Sequence, residues 1–191
     1  MIARPFLVVE GRSDMDFWIT VLRRHCPRAR PTVRAAGGKP AMLREAATFV
    51  RQARQAGCPL TIFIVDQDKD ASADDTAKRF REKLHRGAPV VVGVATRKLE
   101  AWALADERAV RAAFPQSRYR RAGETEKLGN PERDLDRYVR RHFSPHAVKY
   151  EKTIHVPNIA EHFDLKRAQQ GSRSLRAFVT DLKKAQKRPR R

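Results

Sequence analysis

Three apolar runs without alternation limit what this chain can fold into: "FLVV" (Phe6 to Val9), "TIFIV" (Thr61 to Val65) and "APVVVGVAT" (Ala88 to Thr96). A strand with one wet face alternates polar and apolar residues. A continuous run instead calls for apolar cover on both faces, as in a parallel sheet. The intervening segments carry helical spacing. Phe17, Val21 and Leu22 recur after the first run, with Ser13 as a cap and Asp16 as its capping-box acid. Met42, Leu43, Ala46, Phe49 and Val50 make one apolar face after Gly37-Gly38, and a polar helix is predicted over about Ala73 to Leu84. Thr32 to Ala35 reads as a weaker second strand. The expectation is an α/β fold with a four-stranded parallel sheet and helices on both faces. Glu10, Gly37-Gly38 and Asp66 then sit at carboxyl ends of strands, the edge where open α/β sheets bind ligands.

From Lys98 onward the pattern is helical: "LEAWALADERAVRAAF", "PERDLDRYVRRHF", and a last helix carrying Leu175, Phe178, Val179 and Leu182. The polar stretch Gln116 to Asn130 is expected to be a mobile loop, and the basic tail "KKAQKRPRR" to fray. Residues from about 115 could form a small helical lobe or wrap the sheet, and the sequence leaves both open.

The 191 residues suit one domain, or one domain with an appended subdomain. Lys and Arg number 41 against 22 Asp and Glu, a formal net charge of +19, which is the electrostatic footprint of a nucleic-acid binder. No run reaches the ~18–20 apolar residues of a membrane span, and the N-terminus lacks a signal-peptide cleavage pattern. Cys26 and Cys58 stand alone, so a reduced, cytoplasmic setting is expected. His142 and His146 are four apart, but Pro145 between them favours solvated histidines over a helical metal pair.

Against the basic background, "IFIVDQDKD" (Ile62 to Asp70) concentrates acids at a strand end. Asp66 and Asp68 are i and i+2 and can project from one face. With Glu10 on a neighbouring strand, three carboxylates would converge. Two such charges at 4 Å repel by about 4 kcal/mol at an effective dielectric of 20. A divalent cation removes that cost, and an all-oxygen site favours Mg²⁺ or Mn²⁺. An EF-hand loop fails, because Ala71 and Ala77 stand where Gly and Glu are needed. A strand followed by D-x-D also opens the haloacid-dehalogenase phosphatases, but Asp70 stands where Thr or Val is usual there. Acids capping the next helix are the bland alternative.

"FLVVEGRSDMDFW", followed about fifty-six residues later by "IFIVDQDKD", resembles the Toprim domain of topoisomerases, DnaG-type primases and OLD nucleases. The likeness covers about residues 5–105. Glu10 matches that family's glutamate after strand one, Asp66 and Asp68 match its D-x-D after strand three, and Gly37-Gly38 resembles its glycine turn. "VATRKLEAWALAD" (Val94 to Asp106) and "YEKTIHVPNIAEHFD" (Tyr150 to Asp164) look like signatures of small bacterial Toprim proteins encoded beside OLD-like ABC ATPases in anti-phage defence loci. The resemblance implies a catalytic core over 1–106 and a helical C-terminal extension over 107–191. It further implies Glu100 as an additional metal-shell acid and Lys152 as a transition-state cation. Each has a plain alternative: Glu100 paired with Arg97 or Lys98 on a helix surface, and Lys152 as one more surface cation.

The reading is a Mg²⁺-dependent nuclease acting on DNA or RNA. Asp66 and Asp68 would hold the metal, with Glu100 on a second ion and Glu10 as metal ligand or general acid/base. Lys152, with Arg97 or Lys98, would stabilise phosphoryl charge. Gly37, Gly38 and Lys39 would cradle a phosphate. Topoisomerase activity is disfavoured for want of a strand-passage gate, and primase for want of a zinc module and second lobe. With no G-x-x-x-x-G-K-S/T, any ATP dependence would come from a partner ATPase. The rival is a non-catalytic subunit docking on an ATPase or nucleic acid. Trp18 and Trp102 are expected in the core rather than stacked on bases.

Overall fold

A computed structural model describes residues 4–85, 87–121, 123–143 and 148–187. Pro145, His146 and the last four residues of the basic tail lie outside them.

Four strands form one fully parallel sheet in the order β2-β1-β3-β4: β1 (Pro5–Val9), β2 (Thr32–Ala35), β3 (Leu60–Asp66) and β4 (Val90–Ala95). The central strands explain the unbroken runs. Leu7, Val9, Ile62 and Ile64 enter one buried cluster, while Phe6, Val8, Phe63 and Val65 enter another on the opposite face. Edge strand β2 is covered least, consistent with its weak apolar signal.

On the second face lie α2 (Lys39–Gln55) and α3 (Ala73–Glu82), which contribute Met42, Ala46, Phe49 and Phe80. The first face takes α1 (Arg12–His25), α4 (Leu99–Leu104), α5 (Glu107–Ala113), α6 (Pro131–Phe143), α7 (Lys152–Ala160), α8 (Leu165–Ala168) and α9 (Arg173–Lys187). The C-terminal helices therefore wrap the sheet. Val156, Phe163, Leu175 and Phe178 share one apolar cluster with Leu7, Ile62 and Trp18. Trp18 and Trp102 are both core residues, Trp102 stacked on Phe178 at 5.5 Å.

Two local expectations are corrected. The start of α1 is capped by Asp14, whose Oδ2 accepts from the Gly11 amide at 3.1 Å, and not by a Ser13–Asp16 box. The stretch Gln116 to Asn130 is pinned rather than loosely attached, because Ser117, Tyr119 and Thr125 are buried in it. Thr125 Oγ1 donates to the Ala101 carbonyl at 2.7 Å, and Tyr119 Oη to that of Leu104 at 2.8 Å. The polar composition hid these inward-facing residues, which alternate with exposed ones.

Candidate metal and phosphodiester site

Parallel pairing sets Val9 beside Ile64 and Asp66 beside Ala95, so the chain leaves β1, β3 and β4 along one edge. At that edge Glu10 is gripped from two sides. Its Oε1 accepts from the Asp66 amide at 2.7 Å, and its Oε2 from the Lys39 amide at 3.1 Å. The Gly37 and Gly38 amides both donate to the Glu10 carbonyl, at 3.0 and 2.9 Å. Those amides organise Glu10 and are not open for a phosphate. Burial raises the Glu10 pKa despite the Asp66 amide.

Asp66 and Asp68 do not share a face. Asp66 Oδ1 accepts from the Leu99 amide, 2.7 Å away at the start of α4. Asp68 adopts φ 52°, a left-handed turn that breaks strand alternation. Its Oδ2 instead lies 3.2 Å from Lys39 Nζ. Lys39 is buried and also donates to the Gln67 carbonyl at 2.7 Å and to Asp70 at 3.2 Å. The phosphate-cradling expectation for Lys39 thus meets an ammonium already held by acids of the same loop. Asp70 belongs to the entry of α3, where it takes hydrogen bonds from Thr76 and Arg79.

Behind this loop is a second acidic group that local sequence reasoning only partly found. Glu100 is 1% exposed, which excludes the surface-pair alternative. Its Oε1 accepts from Tyr150 Oη at 2.9 Å. Lys152 Nζ stands 2.9 Å from Asp14 Oδ1 and 3.6 Å from Glu100 Oε1, so it is no free surface cation. Burial pushes Asp66 well above the carboxylate range. The charges of Asp14, Glu10 and Glu100 push the same way, against Lys152. Burial works against the Lys152 charge, but Glu100, Asp66 and Asp14 outweigh it and raise its pKa. Asp14 and Tyr150 are the residues the sequence reading missed. A glycine N-cap with an acid three positions on is the signal that marks Asp14.

Lys98 and Arg97 lie at the rim. Lys98 pairs with Glu132 of α6, and Arg97 is exposed with φ 68°. A groove of about 950 Å³ is lined by Glu10, Lys39, Asp68, Arg97, Lys98 and Pro131, among others. Asp66, Glu100 and Lys152 are not among its lining residues.

Whether these groups suit a divalent cation turns on their donors. Among the described residues no three His, Cys, Asp or Glu side chains stand together as a metal-holding group. The donor set is nevertheless all oxygen. Glu100 Oε2 is buried without a hydrogen bond, whereas Asp14 Oδ1 is met by the Lys152 ammonium at 2.9 Å. Buried, unpartnered carboxylate oxygens are costly unless a cation compensates them. In donor chemistry the site fits a hard divalent ion, with Lys152 supplying the positive charge otherwise.

A family model described as a domain of unknown function, DUF4276, matches residues 9–183. The chain belongs to the DUF4276 family. No curated protein matches it. Among solved structures, the C-terminal region of the Burkholderia pseudomallei OLD protein is similar, with a TM-score of 0.49 and 14% identity over 97% of this chain and 99% of that one. A likeness that distant leaves the chemistry of this DUF4276 protein to be read from its own side chains.

Proposed function

We propose that this DUF4276 protein is a Toprim-type nuclease, dependent on Mg²⁺ or Mn²⁺, that hydrolyses phosphodiester bonds in DNA or RNA. One observation carries the reading: Lys152 stands between Asp14 and Glu100, 2.9 and 3.6 Å away, next to Asp66, whose amide holds Glu10 at the carboxyl edge of β1 and β3. Asp66 and Glu10 would hold the cation, with Glu100 and Asp14 offering further oxygens, whereas Asp68, turned onto Lys39, would have to leave that pairing to join them. Such an ion, when bound, polarises a phosphate and acidifies a water. Glu10, fixed by two amides, would orient that water or move its proton. Lys152, anchored between two acids, would meet charge building on phosphoryl oxygens, and Arg97 and Lys98 at the groove rim would steer the polyanion. The apparatus for ATP hydrolysis would come from a partner, an OLD-like ABC ATPase in the setting of anti-phage defence.

One observation favours a second reading, a non-catalytic docking subunit. Lys152 already pairs with both Asp14 and Glu100, so part of the cluster's charge is offset without metal. Incubating the purified chain with Mg²⁺ or Mn²⁺ against plasmid, single-stranded DNA and tRNA separates the two. The nuclease reading expects nicked or shortened products that Asp66→Ala and Glu10→Ala abolish while nucleic-acid binding survives. Full activity in both variants would sink it. Binding without cleavage under either metal would support the docking subunit.

A further inference from the structure

The groove does not end at the acids. Asn130 and Pro131, at the start of α6, line its far side. From there α6 presents Arg133, Arg137 and Arg141, all exposed and four residues apart, so they form one stripe. At 1.5 Å per residue the stripe runs about 12 Å from the groove rim. The three acids of α6 are each engaged: Glu132 by Lys98, Asp134 by Arg137 and Asp136 by Arg140. Among the described residues Arg133 and Arg141 form no ion pair, so the face keeps a net positive charge.

An aromatic platform fixes this face. The Arg137 and Arg141 guanidinium carbons lie 5.2 and 5.8 Å from the centroid of the Tyr138 ring. A guanidinium held over a ring keeps its N–H edge directed outward for a phosphate oxygen. Tyr138 is braced edge-on by Tyr119 at 4.7 Å, and Tyr119 is anchored through its hydroxyl to the Leu104 carbonyl. Burial alternates around Tyr119: Ser117 and Tyr119 face inward, while Arg118 and Arg120 are exposed beside the same platform. A planar cation on an aromatic support, repeated beside unpaired arginines, matches a phosphodiester backbone better than any apolar partner.

We propose that the Arg133–Arg137–Arg141 face of α6, together with Arg118 and Arg120, is a docking surface for a nucleic-acid backbone, carrying the strand outward from the groove. This rests on the nuclease reading for its substrate class, and it assigns the substrate's path, not its chemistry.

The test is binding against salt, followed by fluorescence anisotropy with a labelled single strand and its duplex, both in EDTA. Arg120→Ala/Arg133→Ala/Arg141→Ala removes three contacts. Arg51→Ala/Arg54→Ala/Arg81→Ala removes equal charge from exposed positions on α2 and α3, across the sheet. The expected result is a salt-dependence slope lower by about 3 on the duplex and about 2 on the single strand for the first variant, and wild-type behaviour for the second. Equal slopes for the two variants, with wild type binding normally, would overturn the docking surface and leave the nuclease reading standing. That result would also be expected if the face instead serves an acidic protein. If wild type binds neither strand form, the substrate class fails and the docking surface falls with it.

Discussion

Lys152 is the residue on which the site's electrostatics turn. It is the only cation placed within 4.0 Å of Asp14 and Glu100 among the described residues. Removing one partner of such a buried group leaves uncompensated charge, and Lys152→Ala is expected to cost about 3 kcal/mol of folding stability, read from urea midpoints. An unchanged midpoint would mean that Lys152 is no structural counterion for these acids. Asp136 works in the other direction. Burial pushes its pKa up, but the Tyr150 amide, 2.9 Å away, and the Arg140 guanidinium at 2.8 Å outweigh it and hold it below the ordinary carboxylate value. A folded-state pKa below the unfolded one gives stability that is full above about pH 4 and lost as pH falls through the folded value. Asp136→Asn is therefore expected to be less stable at neutral pH and to show a shallower loss below pH 4, measured as urea midpoints against pH. Parallel curves for the variant and wild type would refute that role.

Among the elements, α9 packs closely against β4 at Gly93. A Cβ built on Gly93 would stand 2.6 Å from the Phe178 ring, so β4 accepts α9 only because it carries glycine there. Gly93→Val is expected to destabilise by about 1–3 kcal/mol, measured by thermal or urea unfolding, although valine is the better strand former. A stabilised variant would show that α9 moves aside freely. Gly93 illustrates what a sequence hides. It reads as a weak spot in an apolar run, and its reason is a helix eighty-five residues away. The strands themselves were legible, because both faces of β1 and β3 are buried and their apolar runs are unbroken. Glu10 and Asp66 were legible for the same reason: each marks where such a run stops. Asp68 was misread in orientation, since its left-handed φ comes from the loop around Lys39 and not from local spacing. Asp14 was hidden because its relation to Glu10 crosses a strand-to-helix boundary, where neither the two-residue nor the 3.6-residue period applies. Lys152 and Tyr150 carry no local signal. The packing of α7 against α1 brings them to the acids; Lys152 was legible only through family likeness, and Tyr150 not at all.

As a whole, the molecule is a strongly basic chain built around an acidic centre. In the proposed reading the +19 excess would gather a polyanion, and a cation among the acids at the sheet edge would let it approach. The C-terminal helices complete the centre, because α7 supplies Lys152 and the segment before it supplies Tyr150. If Asp66 and its neighbours bind a divalent ion, as proposed, Mn²⁺ titration by isothermal calorimetry reads that binding without reference to any substrate. Wild type is expected to take up Mn²⁺ saturably, with Asp66→Asn weaker by at least about 100-fold at an unchanged circular-dichroism spectrum. Equal Mn²⁺ binding by wild type and Asp66→Asn, or none by either, would contradict the account.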